Sequence, residues 1–202
     1  KAHPVTDPDG DRVYVISVPD SSNTTALGYT RELEKQGIDA RLEIGLIRSH
    51  YIGRTFIQPG QSNRETGVRI KFNIAKGVLE GRTIVVVDDA IVRGTTSKQL
   101  VHLLREANPK SIHLRISSPP IMFPCFYGMD FPSKEELIAS RLNGNIEEIK
   151  KYLEVDSLEY LTIDETLEAV SEAGKENFCT ACFSGKYPTN VDIHFKKEMY
   201  EV

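Results

Sequence analysis

The clearest chemistry in this chain is concentrated in one short stretch, Val87-Asp88-Asp89-Ala90-Ile91-Val92-Arg93-Gly94-Thr95-Thr96-Ser97. Two neighbouring carboxylates are followed by a glycine, which allows close backbone approach, and by a run of hydroxyl side chains. If a helix begins at the hydroxyl run, several backbone N–H groups and the positive end of a helix dipole converge on one spot, and phosphate is the natural occupant. The spacing is not that of the common phosphate loops. A Walker A loop needs two glycines and then Lys-Ser/Thr, and a dinucleotide fingerprint needs three glycines. An ordinary turn capped by Thr95 or Ser97 has no use for two adjacent acids.

The flanking residues supply the elements that such a turn requires. Arg82-Thr83-Ile84-Val85-Val86-Val87 is dominated by β-branched residues and reads as a strand buried on both faces. Leu100, Val101, Leu103 and Leu104 then fall on one side of a helix that runs to Asn108-Pro109. Earlier in the chain, Arg12 to Val18 reads as a strand stopped by Pro19-Asp20-Ser21-Ser22. Ser21 or Ser22 can cap the following helix, which carries Ala26, Leu27, Tyr29 and Leu33 and ends at Gly37. Leu42 to Ile47 and Ser111 to Ser117 are further strand expectations. Strands alternating with helices predict an α/β protein, a parallel sheet flanked by helices, with its ligand outside the carboxyl ends of the strands. Two such ends carry suitable groups, Pro19-Asp20-Ser21-Ser22 and Asp88-Asp89.

Between them lies Arg48 to Asn73, rich in Gly, Arg, Gln and Asn. A segment of this length and composition inside a compact domain is expected to be a lid over the site. Gly53 and Gly60 can serve as hinges, Arg54 as a bidentate cation for phosphate oxygens, and Tyr51 and Phe56 as water-excluding side chains.

The acid-acid-Gly-Thr-Thr order resembles the phosphoribosyl pyrophosphate (PRPP) signature of the type I phosphoribosyltransferases. A more specific resemblance rests on Tyr51-Ile52-Gly53-Arg54-Thr55-Phe56-Ile57-Gln58-Pro59, Val87 to Ser97, Ser117-Ser118-Pro119-Pro120, Pro124-Cys125-Phe126-Tyr127-Gly128-Met129-Asp130, Glu135 to Ser140, and Cys179 to Thr189. Together these look like the amidophosphoribosyltransferases, the family that opens purine biosynthesis. The resemblance implies a type I phosphoribosyltransferase fold, with Mg2+ and PRPP as the substrate complex and ammonia displacing pyrophosphate to give 5-phosphoribosylamine. By position it implies that Tyr51 and Arg54 act in catalysis from the lid. Arg93, Gly94, Thr95, Thr96 and Ser97 would cradle the 5′-phosphate, and Asp88 and Asp89 would hold the ribose hydroxyls. Ser21, Asp88 and Asp89 would site the magnesium. It further implies purine nucleotides as feedback ligands, a homo-oligomer, and an amino-terminal glutaminase domain that lies outside this chain. One branch of the family holds a 4Fe-4S cluster, and three of its ligand positions match Cys125, Cys179 and Cys182, the fourth ligand lying outside this chain. The family usually has lysine, asparagine and arginine before the lid tyrosine, where this chain has Arg48-Ser49-His50.

Read by itself, Cys179-x-x-Cys182 is compatible with redox, zinc or iron-sulfur chemistry, and it is not expected to open a thioredoxin-like helix. The region after residue 130 changes character. Ser133 to Glu136 reads as a capping box, with helices at Leu137-Ile138, at Ile146, Ile149 and Leu153, and at Ile163, Leu167 and Val170. The expected organisation is a phosphoribosyltransferase core at 1–130, with a lid at 48–73, and a helical extension with a cysteine-containing tail at 131–202.

Composition limits the alternatives. The chain has 202 residues, 40% hydrophobic and 27% charged, with a formal net charge of -4, which gives no reason to expect nucleic acid or a membrane surface as partner. Three cysteines do not make a disulfide framework, no apolar run reaches membrane-spanning length and no signal peptide opens the chain, so a cytoplasmic setting is expected. Two other readings of the same signature are a nucleobase salvage phosphoribosyltransferase and a regulatory protein that binds PRPP without turning it over.

Overall fold

The computed structural model describes residues 3–49, 72–129, 131 and 133–191. Its centre is β5, Thr83–Asp88, whose residues Thr83 to Val87 are all buried, as a β-branched run flanked by parallel neighbours should be. β5 pairs in parallel with β1 (Val13–Ser17) on one side and with β6 (Ser111–Ile116) on the other. β2 (Ala40–Leu42) lies outside β1 and β7 (Ser157–Tyr160) outside β6, giving the order β2-β1-β5-β6-β7.

This order places a topological switch point between β1 and β5. From β1 the chain moves outward through α1 (Asn23–Lys35) to β2, and from β5 it moves the other way through the helix Thr95–Arg105 to β6. The two helices therefore cover opposite faces. Ala26 and Leu33 of α1 join Val13, Val15, Val85 and Val87 in one core cluster. Leu100, Val101, Leu103 and Leu104 join Ile84, Val86, Ile112 and Leu114 in the other. Each fully buried Leu or Ile contributes about 1.5–3 kcal/mol, so alternation along β5 alone anchors both layers. Helix α1 ends as its glycine predicts: Gly37 takes φ +80°, and the Ile38 N–H reaches back to the Leu33 carbonyl at 3.0 Å.

The strand expected at Leu42 to Ile47 is instead two strands. β2 stops at Leu42, and β3 (Leu46–Arg48) leaves the sheet to pair antiparallel with β4 (Phe72–Ile74). Gly45 makes the departure possible, because a side chain there would lie 2.7 Å from Ile16 Cγ2 and 2.9 Å from Leu79 Cδ2. Leu79 ends the short helix α2, Lys76–Leu79. The helix Thr95–Arg105 is α3.

The segment beyond residue 130 is not purely helical. Besides α4 (Ile138–Arg141), α5 (Ile146–Leu153), α6 (Ile163–Ala169) and α7 (Ala181–Ser184), it supplies β7, with Leu158 and Tyr160 facing the core. The capping box expected at Ser133 and Glu136 does not form: Lys134–Glu136 is a 3-10 turn whose Ser133 makes no side-chain cap. A reciprocal box occurs at Thr162 and Glu165 instead. Cys179-x-x-Cys182 leads only into the single turn of α7, which is no thioredoxin-like helix. No helix among the described residues is long and apolar enough to cross a membrane.

Candidate functional site

The carboxyl ends of β1 and β5 lie side by side at the switch point and bring the two acid-bearing segments together. Asp88, the last residue of β5, is half-buried, and its Oδ1 accepts the Asp89 N–H at 2.9 Å and the Ser22 hydroxyl at 3.4 Å. No cation pairs with it among the described contacts, and its pKa is pushed up to about 7, first by burial and then by the charge of Asp89. Asp89 is exposed, its Oδ1 accepting the Ala90 N–H at 2.7 Å. The site therefore holds two acids in a place that favours neutralisation by an incoming cation or hydroxyl donors.

Six residues further on, the turn reaches Gly94, the residue before α3, at φ +77°. Gly94 is buried, and a side chain there would meet Ile138 Cδ1 at 2.5 Å and Tyr152 Cε1 at 3.2 Å. Only glycine combines that conformation with that close contact. Thr95, Thr96 and Ser97 form the first turn of α3, which has neither a side-chain cap nor an acidic residue. Its leading N–H groups are thus left for an external acceptor, the arrangement that suits an anion. Arg93 is exposed, and its Nε donates to Glu136 Oε2 at 2.7 Å.

The β1 end departs from the expectation in one residue. Ser21 is exposed, whereas Ser22 is fully buried and is the serine that reaches Asp88. The hydroxyl pair was visible in the sequence, but which of the two turns inward depends on the loop's path. Asp20 of the same loop pairs with Arg48 at 3.3 Å, linking the loop to β3. The expected lid starts and ends in the β3–β4 ladder, where Arg48 lies opposite Phe72 and Ile47 opposite Asn73. Tyr51 and Arg54 lie outside the described residues. Glu136, Ile138 and Tyr152 were not foreseen as neighbours of the turn, since nothing local in the sequence links them to it.

The three cysteines share one neighbourhood. The Cys182 carbonyl accepts the N–H groups of Met122 and Phe123 at 3.0 and 2.9 Å, which sets the Cys125 loop against α7. The Tyr187 hydroxyl donates to the Pro124 carbonyl at 2.8 Å and its ring meets Phe126 edge-on. All three thiols are free, and Cys182 is pushed above the usual thiol range by burial, then by Cys125 and more weakly by Cys179.

A second acidic cluster sits at the opposite end of the sheet. Asp7, Asp9 and Asp11 place carboxylate oxygens within 4.8 Å of one another. Lys110 Nζ already fills the centre, at 2.7 Å from Asp7 and 2.6 Å from Asp9.

The phosphoribosyl transferase domain family matches residues 8–117, more than half of the chain. The chain is 52% identical over 174 residues to a chloroplastic amidophosphoribosyltransferase of Vigna aconitifolia, covering 86% of this chain and 34% of the relative. It is 48% identical to the amidophosphoribosyltransferase of Bacillus subtilis, covering 88% of this chain and 36% of that one. A solved structure of glutamine phosphoribosylpyrophosphate amidotransferase from B. subtilis, complexed with ADP and GMP, superposes with a TM-score of 0.72 at 47% identity, covering 89% of this chain and 38% of that one. The chain thus spans about a third of the length of the relatives it matches.

Proposed function

The chain belongs to the phosphoribosyl transferase domain family, and from that premise we propose that it carries the phosphoribosyl-transfer activity of an amidophosphoribosyltransferase. In this reading ammonia attacks the anomeric carbon of PRPP, pyrophosphate leaves, and 5-phosphoribosylamine forms. The observation that carries it is the unneutralised Asp88–Asp89 pair beside the uncapped start of α3, both at the switch point of the sheet.

The parts suit that chemistry. Displacement at an anomeric carbon passes through an oxocarbenium-like state, which nearby carboxylates stabilise electrostatically. Asp88 and Asp89 hold the ribose hydroxyls, and the turn from Arg93 to Ser97 binds the 5′-phosphate through its backbone N–H groups. No side-chain nucleophile is needed. In this reading Arg54 supplies a cation for phosphate oxygens and Tyr51 helps to exclude water.

The donor set fits a hard divalent cation: two adjacent carboxylates, one with its proton affinity raised by burial, and a serine hydroxyl alongside. Asp88 and Asp89 with Ser21, or with Ser22 in its place, would hold Mg2+, which would supply positive charge for the pyrophosphate. Cys125, Cys179 and Cys182 fit as soft ligands, and would hold three positions of a 4Fe-4S cluster that ties the tail to the loop after β6. Purine nucleotides as feedback ligands, a glutaminase domain as nitrogen supplier, a homo-oligomer and a cytoplasmic setting complete the proposal. The names of the relatives support the amidophosphoribosyltransferase activity, and the ADP and GMP of the B. subtilis complex support the nucleotide ligands.

The test is mass analysis of the products formed from PRPP, Mg2+ and ammonium. The expected result is 5-phosphoribosylamine and pyrophosphate in equal amounts, at a rate rising with pH as ammonium gives way to ammonia. Unchanged PRPP, or ribose 5-phosphate formed as fast without ammonium as with it, contradicts it.

A further inference from the structure

Three contacts reach the phosphate turn from a segment far along the chain. The Ile138 N–H donates to the Val92 carbonyl at 2.9 Å, Ile138 and Tyr152 fill the space where a side chain on Gly94 would go, and Glu136 holds Arg93 at 2.7 Å. Arg93 thus sits between two anchored residues and is itself anchored.

We propose that Glu136 is a positioning residue for the phosphate turn, acting through Arg93 as a strut; this rests on reading the turn as the PRPP site. With Val92 fixed by a backbone bond and Gly94 fixed by packing, the Arg93 side chain is the remaining free handle on the turn. Glu136 removes that freedom, so the N–H groups at the start of α3 stay converged on one point. The base of the strut is itself braced. Its 3-10 turn closes through a Glu136 N–H bond to the Ser133 carbonyl at 3.0 Å, and Lys134 Nζ lies 5.2 Å from the centre of the Phe123 ring. Both partners of the ion pair are about half exposed, 48% and 47%. An exposed pair adds little to global stability, so its loss should register in ligand binding and not in folding.

A competing arrangement makes the opposite prediction. If Arg93 leaves Glu136 to contact phosphate directly, Glu136 competes with the ligand, and removing its charge tightens binding.

The experiment is calorimetry of PRPP with Mg2+ on the intact chain, with steady-state kinetics and thermal melts on the same samples. Glu136→Gln should weaken PRPP binding about threefold to fivefold, the range an exposed pair can supply. The change should appear in KM with kcat within about twofold and Tm unaltered. Glu136→Asp should recover most of the loss. The Arg93→Gln/Glu136→Gln double variant should be no weaker than Arg93→Gln alone, since the two residues act as one unit. Unchanged or tighter binding by Glu136→Gln, or additive losses in the double variant, overturns the proposal. Absence of PRPP binding by the wild-type chain overturns the underlying reading and this inference together, whereas binding by the wild type with an indifferent Glu136→Gln removes this inference alone.

Discussion

The two ends of the central sheet each carry clustered carboxylates, and the structure treats them in opposite ways. At the amino end Asp7 is satisfied by the Lys110 ammonium, by the Thr83 hydroxyl and by two backbone N–H groups, and its carboxyl is held well below the usual carboxylate range. At the carboxyl end Asp88 faces a second acid and only neutral donors, and its pKa rises to about 7. Residue types do not separate the two places. What separates them is whether the fold supplies the countercharge or leaves it to a ligand, and a half-buried acid left without a countercharge is a functional signature.

The largest contrast is expected from acid-to-amide changes at the carboxyl end. Asp88→Asn/Asp89→Asn should lower product formation from PRPP by about 100-fold or more, since charge-assisted bonds to ribose and metal are worth a few kcal/mol. The same variant should melt no lower than wild type, because it relieves two repelling carboxylates. A clear loss of Tm would mean that the pair is structural. Gly94→Ala comes next. The new methyl meets Ile138 at 2.5 Å in a conformation only glycine adopts easily, so stability should fall by about 1–3 kcal/mol. PRPP affinity should fall about tenfold as the turn shifts.

The pH responses of the two ends should run in opposite directions. Asp88 has a folded pKa raised above its unfolded value. Its contribution to stability is therefore fully present below the ordinary carboxylate range and is lost as pH climbs through about 7. Ionised Asp88 is the form that binds a cation, so affinity for PRPP with Mg2+ should rise about tenfold between pH 6 and pH 8. A flat profile, or one unchanged by Asp88→Asn, would assign the titration elsewhere. Asp7 is depressed, so its contribution is present above the ordinary carboxylate range and fades as pH falls below it. The smallest effect on the reaction is expected from Asp7→Asn, which should lower Tm by leaving Lys110 without its buried partner and leave PRPP turnover unchanged.

Those parts of the site that depend on local sequence are legible in the chain itself. The β-branched run, the acid pair and the glycine before a hydroxyl-led helix each follow from neighbours in the chain. Features set by distant contacts were not. The inward serine is Ser22 and not Ser21 because of the loop's path to Asp88. Gly45, between the two strands, takes no side chain because Ile16 and Leu79 occupy the space a Cβ would need. β7 is only four residues long and lies among helices, so its period-two pattern, Ser157-Leu158-Glu159-Tyr160, was too short to stand out. In place of the capping box expected at Ser133, the Glu136 N–H goes to the Ser133 carbonyl and its carboxylate to Arg93, a partner from another part of the fold.

The decisive measurement is a parallel calorimetric titration of PRPP with Mg2+ into the wild-type chain, Asp7→Asn, and Asp88→Asn/Asp89→Asn. Binding should be equal in the wild type and Asp7→Asn and weaker by about 100-fold or more in the double variant. Equal binding in all three, or an equal loss in both variants, would contradict the assignment of the PRPP site to the carboxyl end of the sheet.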